Sequence, residues 1–360
     1  MYNVYVPSDD QNKSLIKLLN KVFRKNFPTL LPTLYGKDKC TAKYHYCIDL
    51  DGKRVGAVCA YPSEIKVGEV AINGLGIGMV ATKKSARGKG VMTTLLNHAL
   101  TNAENEYDIA YLTGRRKRYE HFGFYPAGCN HMYEISNISI QKYKKGNPYK
   151  IIRVKSKAQM AMVNALSAKG YQVINRPLAT DAEVLLNWHN KLYLVEKQGT
   201  PVGFISAKLI KLDRIFIDGG SQDDYAYAVS AFMQFKKLKF IMAEAIPSEA
   251  ECIKALDDVS ETKSIREGFK FKVFNYARLF NKLSLLAVQE GYKGEFCKTI
   301  EIEGVEKFTL SIRNGIVNVT STEEEAELIL TEQQAVEVLL GPSARDIPLA
   351  KFGLHHSDLI

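Results

Sequence analysis

Gly78-Met79-Val80-Ala81-Thr82-Lys83-Lys84-Ser85-Ala86-Arg87-Gly88-Lys89-Gly90-Val91-Met92-Thr93-Thr94-Leu95-Leu96 runs from a glycine-interrupted apolar strand through a basic loop into a helix. In that order, several backbone N–H groups converge on a helix N-terminus, where the dipole favours negative charge. Gly88 and Gly90 let the backbone approach an anion closely, while Lys83, Lys84, Arg87 and Lys89 add positive charge. Such a loop suits a pyrophosphate; a solvated basic turn is the other reading that two glycines alone leave open. The segment lacks the Gly-x-x-x-x-Gly-Lys-Ser/Thr phosphate loop and the Gly-x-Gly-x-x-Gly dinucleotide fingerprint.

On the N-terminal side, Leu15, Ile16, Leu18, Leu19, Val22 and Phe23 recur at helical spacing behind Ser8, Asp9 and Asp10. Strands at 44–50 and 54–61 flank Asp51-Gly52, a type I′ hairpin signal. After the helix at 91–100 comes a strand at 109–113. A polar, basic stretch with Gly146, Asn147 and Pro148 marks a boundary, and a second cycle follows. Helices are expected at 158–168 and 225–235 and strands at 192–196, 202–208 and 240–244. The order echoes the first cycle, but its turn, Asp218-Gly219-Gly220-Ser221-Gln222-Asp223-Asp224, is acidic and would repel a polyanion. A repeat would therefore have lost its anion site. The last part reads as a small α+β domain, with strands at 269–274, 308–312 and 316–320, an Asn314-Gly315 hairpin, and helices at 277–289 and 332–340.

The 360 residues suffice for two or three domains, and 46% hydrophobic with 24% charged residues excludes a disordered or fibrous chain. No stretch approaches the roughly 20 apolar residues of a membrane span, and residues 1–10 show no export signal, so a cytoplasmic protein without a membrane partner is expected. A net charge of +10 favours an anionic partner without naming it. The six cysteines include no Cys-x-x-Cys pair, and the seven histidines no pair at i, i+4, so no metal is expected.

The loop Arg87-Gly88-Lys89-Gly90-Val91-Met92 resembles the acyl-CoA loop of the GNAT superfamily of N-acetyltransferases, with Met92 where a small residue is usual. One branch tolerates that bulk. Over nearly its whole length the chain resembles the Eis-like (enhanced intracellular survival) acetyltransferases. The resemblance rests on Met79-Val80-Ala81-Thr82 with Arg87 to Met92, on Tyr119-Glu120-His121-Phe122-Gly123-Phe124, and on Phe274-Asn275, Gly294-Glu295-Phe296 and 326–341 in that order. It implies a mixed α/β (α+β) fold. A GNAT domain at 1–137 and a degenerate GNAT-like domain at 138–267 would precede a sterol-carrier-protein-like α+β domain at 268–360.

The resemblance further implies acetyl-CoA as cosubstrate and an amine as acceptor, an aminoglycoside-like polyamine or a lysine, in a homo-oligomer of hexameric form. Acetyl-CoA would be held by Met79, Val80, Ala81, Thr82, Arg87, Gly88, Lys89, Gly90, Val91, Met92, Thr93, Gly114 and Arg115. Tyr119 would protonate the departing thiolate, and the α-carboxylate of Ile360 would take the amine proton. The rival classes are a non-catalytic acyl-CoA or lipid-binding protein and a nucleic-acid-binding protein. The latter would need basic residues interleaved with exposed aromatics, as in 143–150, and is not expected.

Overall fold

Asp51 (φ 50°) and Gly52 (φ 67°) both adopt the left-handed conformation that a type I′ turn demands. They join the first long hairpin in a computed structural model that describes residues 2–342 and 346–358. The hairpin strands are β2 (His45–Leu50) and β3 (Lys53–Val67), and β3 turns at Gly68 into β4 (Val70–Thr82). β1 (Val4–Tyr5) flanks β2, and β5 (Ile109–Leu112) pairs parallel with β4 after the crossover helix Val91–Ala103. Apolar residues at Leu15, Leu18 and Leu19 bury one face of the helix Asn12–Phe23 on this sheet, and Val91, Leu95, Leu96 and Ala99 do so for the crossover helix.

The linear domain boundaries expected at 137/138 and 267/268 do not coincide with sheet membership. β6 (Tyr125–Ala127) ends the first run, and β7 (Asn130–Ser136) leaves for the second sheet. That sheet also holds β8 (Tyr149–Arg153), β10 (Lys191–Lys197), β11 (Thr200–Lys208), β12 (Lys211–Ile217), β13 (Phe240–Ala245) and β14 (Thr262–Arg266), in the order β14-β7-β13-β12-β11-β10-β8. β9 (Gln172–Asn175) crosses back to pair with β3. β15 (Phe269–Val273), expected in the C-terminal domain, inserts between β5 and β6 of the first sheet. The two sheets thus exchange strands. Alternation predicts that a segment is a strand, but not which edge accepts it.

The third sheet, β18-β17-β16-β19, comprises β16 (Phe296–Ile302), β17 (Glu306–Arg313), β18 (Ile316–Ser321) and β19 (Leu328–Leu330). Asn314 and Gly315 form its hairpin turn with φ of 52° and 75°. Its inner face packs on the helix Tyr276–Gln289, where the rings of Phe280 and Phe308 lie 5.3 Å apart. The same helix grips the first sheet through Asp108, which is 1% exposed. Asp108 accepts from the Asn73 amide (2.7 Å), Arg278 Nε (2.5 Å) and Lys282 Nζ (2.6 Å).

Asp108→Ala would strand a strand amide and two cations. Because Arg278 and Lys282 keep some access to water, the loss of stability should be about 2–3 kcal/mol, read as a lowered urea midpoint at unchanged m-value.

Candidate active site

β4 and β5 are paired only from Gly74↔Ile109 to Gly76↔Tyr111, and beyond Gly76 they part. On its other side β4 carries a bulge. Cys59 faces Gly78 and Ala57 faces Ala81, so Met79 and Val80 together oppose Val58. Met79 takes φ 49°, rare for a bulky residue, and re-aims the strand at the gap. A seam with unpaired main-chain groups on one wall results. Ala81 has its side chain in the core, 0% exposed, so only its backbone can serve a ligand.

Past the seam, Lys84–Ala86 makes one 3₁₀ turn, and Gly88 and Gly90 both sit at φ 75°. Gly90 is the N-cap of the crossover helix. The first-turn amides of Val91, Met92 and Thr93 have no acceptor within that helix. A Cβ added at Gly88 or Gly90 would meet nothing within 4 Å, which leaves the loop wall open. Tyr2 Oη donates to the Lys89 carbonyl (2.6 Å) and ties the loop to the N-terminus. Thr82, Arg87, Gly88, Gly90, Val91, Met92 and Thr93 line a cavity of about 620 Å³, whereas the Lys89 side chain is exposed.

A second cavity, of about 170 Å³, lies at the seam between Met79, Val80, Tyr111, Tyr119 and Trp188. Phe23, Val80 and Arg118 line both cavities, so the two adjoin. Tyr119 is 6% exposed and packs edge-on against Phe124. Burial raises its pKa above the ordinary 10.0 against the opposing pull of the Arg118 guanidinium, so the phenol stays protonated at neutral pH. Gly114 (φ 152°) fixes the ring, because a Cβ there would come within 2.5 Å of Tyr119 Cε2. Arg115 is exposed and lines neither cavity; within the basic run Arg115-Arg116-Lys117-Arg118, Arg118 is the cation at the seam.

Sequence reading missed Phe23, Tyr111 and Trp188 as cavity walls, and it had Arg118 only as one of a basic run suited to the phosphates of coenzyme A. Trp188, the single tryptophan, comes from the second domain. With His189 it holds positive φ (60° and 68°), and its buried Nε1–H has no acceptor among the described residues. No local pattern marks it, although a lone Trp beside Asn187 and His189 was a compositional hint. Its ring lies 5.9 Å from that of His356, which places the C-terminal segment beside the seam cavity. Ile360, expected to supply a carboxylate, lies outside the described residues.

In the second sheet the corresponding helix start is acidic. At the N-terminus of the helix Gln222–Lys236, Ser221 and Asp224 form a reciprocal capping box, and Asp224 also accepts from Tyr149 Oη. Asp224 is held far below the ordinary carboxylate range. Burial opposes this, and hydrogen bonds from Tyr149, Ser221 and Lys197 outweigh it. Among the described residues, no cluster of three or more His, Cys, Asp or Glu could hold a metal ion.

Residues 6–127 match the acetyltransferase (GNAT) domain family. The chain thus carries an acetyltransferase (GNAT) domain over those residues. Among solved structures, it is similar to a GCN5-related N-acetyltransferase from Anabaena variabilis (18% identity, TM-score 0.69, 94% of this chain and 89% of that one). A GCN5-related N-acetyltransferase from Kribbella flavida (15%, TM-score 0.64, 93% and 89%) and Eis1 from Mycobacterium abscessus (12%, TM-score 0.66, 93% and 89%) share the fold over the same extent. At such identities the likeness speaks for the fold. No curated protein matches the sequence.

Gly90→Ala should lose about 1 kcal/mol of stability and weaken coenzyme A binding about tenfold by calorimetry. Gly146→Ala, at φ 68° in equally empty surroundings, should lose similar stability with no change in binding.

Proposed function

We propose that the protein transfers acetyl from acetyl-CoA to an amine in a ternary complex, in the manner of the Eis-like branch. The observation that carries the proposal is the continuity of the two cavities, one against the Gly88–Thr93 loop and one at Tyr119, through Phe23, Val80 and Arg118. In this reading the pyrophosphate lies on the loop amides and Arg87, and the pantetheine arm follows the unpaired edge of β4 into the seam. A main-chain N–H near Val80 polarises the thioester carbonyl.

The amine nitrogen attacks the carbonyl carbon, the C–S bond breaks, and Tyr119 Oη gives its proton to the sulfur. The amine's proton goes to the carboxylate that the resemblance assigns to Ile360, directly or through water. Burial holds the phenol above its ordinary 10 and so makes it a weaker acid than the departing thiol, a mismatch that a positioned general acid can absorb. Holding both substrates in one complex makes the attack effectively intramolecular. The acceptor class is an aminoglycoside-like polyamine or a lysine side chain.

The third sheet with its two helices supports the sterol-carrier-like assignment. Its apolar face is filled by Phe280 and Leu283 of the chain's own helix, which favours a structural role over lipid carriage. No helix among the described residues is long and apolar enough to cross a membrane. A cytoplasmic homo-oligomer, hexameric in form, completes the reading.

Thiol release from acetyl-CoA with an amine panel tests the proposal. Tyr119→Phe should lower kcat about 10²- to 10³-fold with the KM for acetyl-CoA nearly unchanged, and extension beyond Ile360 should also lower kcat. Coenzyme A binding without release by any amine would favour a non-catalytic binding protein. Gly114→Ala, by pushing the ring, should reproduce most of the Tyr119→Phe loss. Because Tyr119 must be protonated to act, kcat/KM of the native enzyme should fall as pH rises through its raised pKa, above 10, and that limb should vanish in Tyr119→Phe.

A further inference from the structure

The second domain opens like the first, and the chain's own C-terminal segment lies across the opening. β12 and β13 pair only at Lys211↔Met242 and Leu212↔Ala243 and then part, as β4 and β5 do. At the first unpaired residue of β12, Asp213 Oδ2 accepts from the Ser357 amide (3.2 Å). Just past the end of β13, Glu249 Oε1 stands 3.0 Å from His355 Nε2. Gln172 Nε2 donates to the Gly353 carbonyl (2.6 Å), and Asn130 Nδ2 donates to the Leu354 carbonyl (2.8 Å). The approach is close enough that a Cβ on Gly353 would come within 2.9 Å of Ile246. Burial opposes charge on His355, yet Glu249 outweighs it and pushes the pKa up to about 9, so the contact is an imidazolium–carboxylate pair at neutral pH.

The segment ends in a second anchor. Asp358 Oδ1 lies 2.6 Å from Arg176 Nη2, with side chains 2% and 3% exposed, and Arg176 Nη1 also reaches Asp181 at 3.6 Å. Arg176 directly follows β9, which pairs with β3 of the first sheet at Ile65↔Ile174. The arginine is therefore fixed to the acetyltransferase sheet although it belongs to the second cycle in sequence. The charge of Asp358 is felt at Tyr111, and the ring of His356 rests beside Trp188; both Tyr111 and Trp188 are walls of the seam cavity. Neither charge of a buried pair can be left alone without heavy loss, so Arg176 and Asp358 hold each other in place.

We propose that the second domain, its own seam crossed by the C-terminal segment, serves as a clamp for that segment, and that Arg176 is the positioning residue that sets it at the acetyl-transfer cavity. The turnover part of this inference rests on the acetyl-transfer reading; the clamp itself can be read without it.

The test compares the native chain with Arg176→Ala, Arg176→Lys, Asp358→Asn and the Arg176→Ala/Asp358→Asn double variant. Thiol release with acetyl-CoA and the best amine of the panel is measured, together with hydrogen–deuterium exchange of the peptide spanning 346–358 without substrate. Arg176→Ala and Asp358→Asn should each lower kcat at least tenfold, with the KM for acetyl-CoA within twofold of native and the double variant no worse than the weaker single one. Exchange in the peptide should quicken at least tenfold in both, and Arg176→Lys should recover part of each effect. An unchanged kcat in both single variants overturns the positioning role, and native exchange rates in both overturn the clamp. If the native chain itself releases no thiol, the acetyl-transfer reading is what fails, and the exchange rates alone decide the clamp. Should Arg176→Ala not fold, Asp358→Asn carries the same comparison.

Discussion

A parallel strand pair that holds for three residues and then parts is the constraint on which the site depends. β4 and β5 could have zipped further; the bulge at Met79 and Val80 turns β4 away, and the glycine-rich loop that follows needs the room. The unpaired main chain so created would be costly in an apolar core. It is tolerable here because the seam is a cavity wall that a ligand's amides can satisfy. Strain at Met79, an open loop at Gly88 and Gly90, and the buried phenol of Tyr119 are separate local features. They become one site because the same seam runs past all three.

The sheets that carry this geometry are not independent. β15 completes the first sheet from the far side of the second domain, and β7 completes the second from the end of the first. Asp108 then fastens the helix Tyr276–Gln289 of the C-terminal part to the same strands through two cations and a backbone amide. The walls of the seam thus belong to sheets joined by exchanged strands. Trp188 reaches the cavity for the same reason, its segment being bound to the first sheet next to β9.

The two seams share a strand plan and differ in their side chains. In the first, the helix N-terminus is preceded by Arg87 and two left-handed glycines; in the second, Ser221 and Asp224 each accept from the other's amide in a capping box. One opening is thereby electropositive and free, and the other is neutralised from within and crossed by the chain's own tail. Similar backbones have been given opposite electrostatics by a handful of side chains.

Local features were legible in the sequence because their causes are local. Asp51-Gly52 and Asn314-Gly315 had to be type I′ turns, and the apolar spacing after Gly90 had to be a helix. The mixed α/β fold and the acetyltransferase domain came instead from the family resemblance that Arg87 to Met92 and Tyr119 to Phe124 carry. What no window of sequence contained was the exchange of β7 and β15, the choice of Arg118 over Arg115 at the cavity, the arrival of Trp188 in its wall and that of His356 against Trp188. Each of these is a pairing between residues about 80 to 240 positions apart or the outcome of a register. Alternation and propensity say what a segment can become, whereas the partner is chosen by which exposed edge and which buried charge remain unsatisfied once the rest has packed.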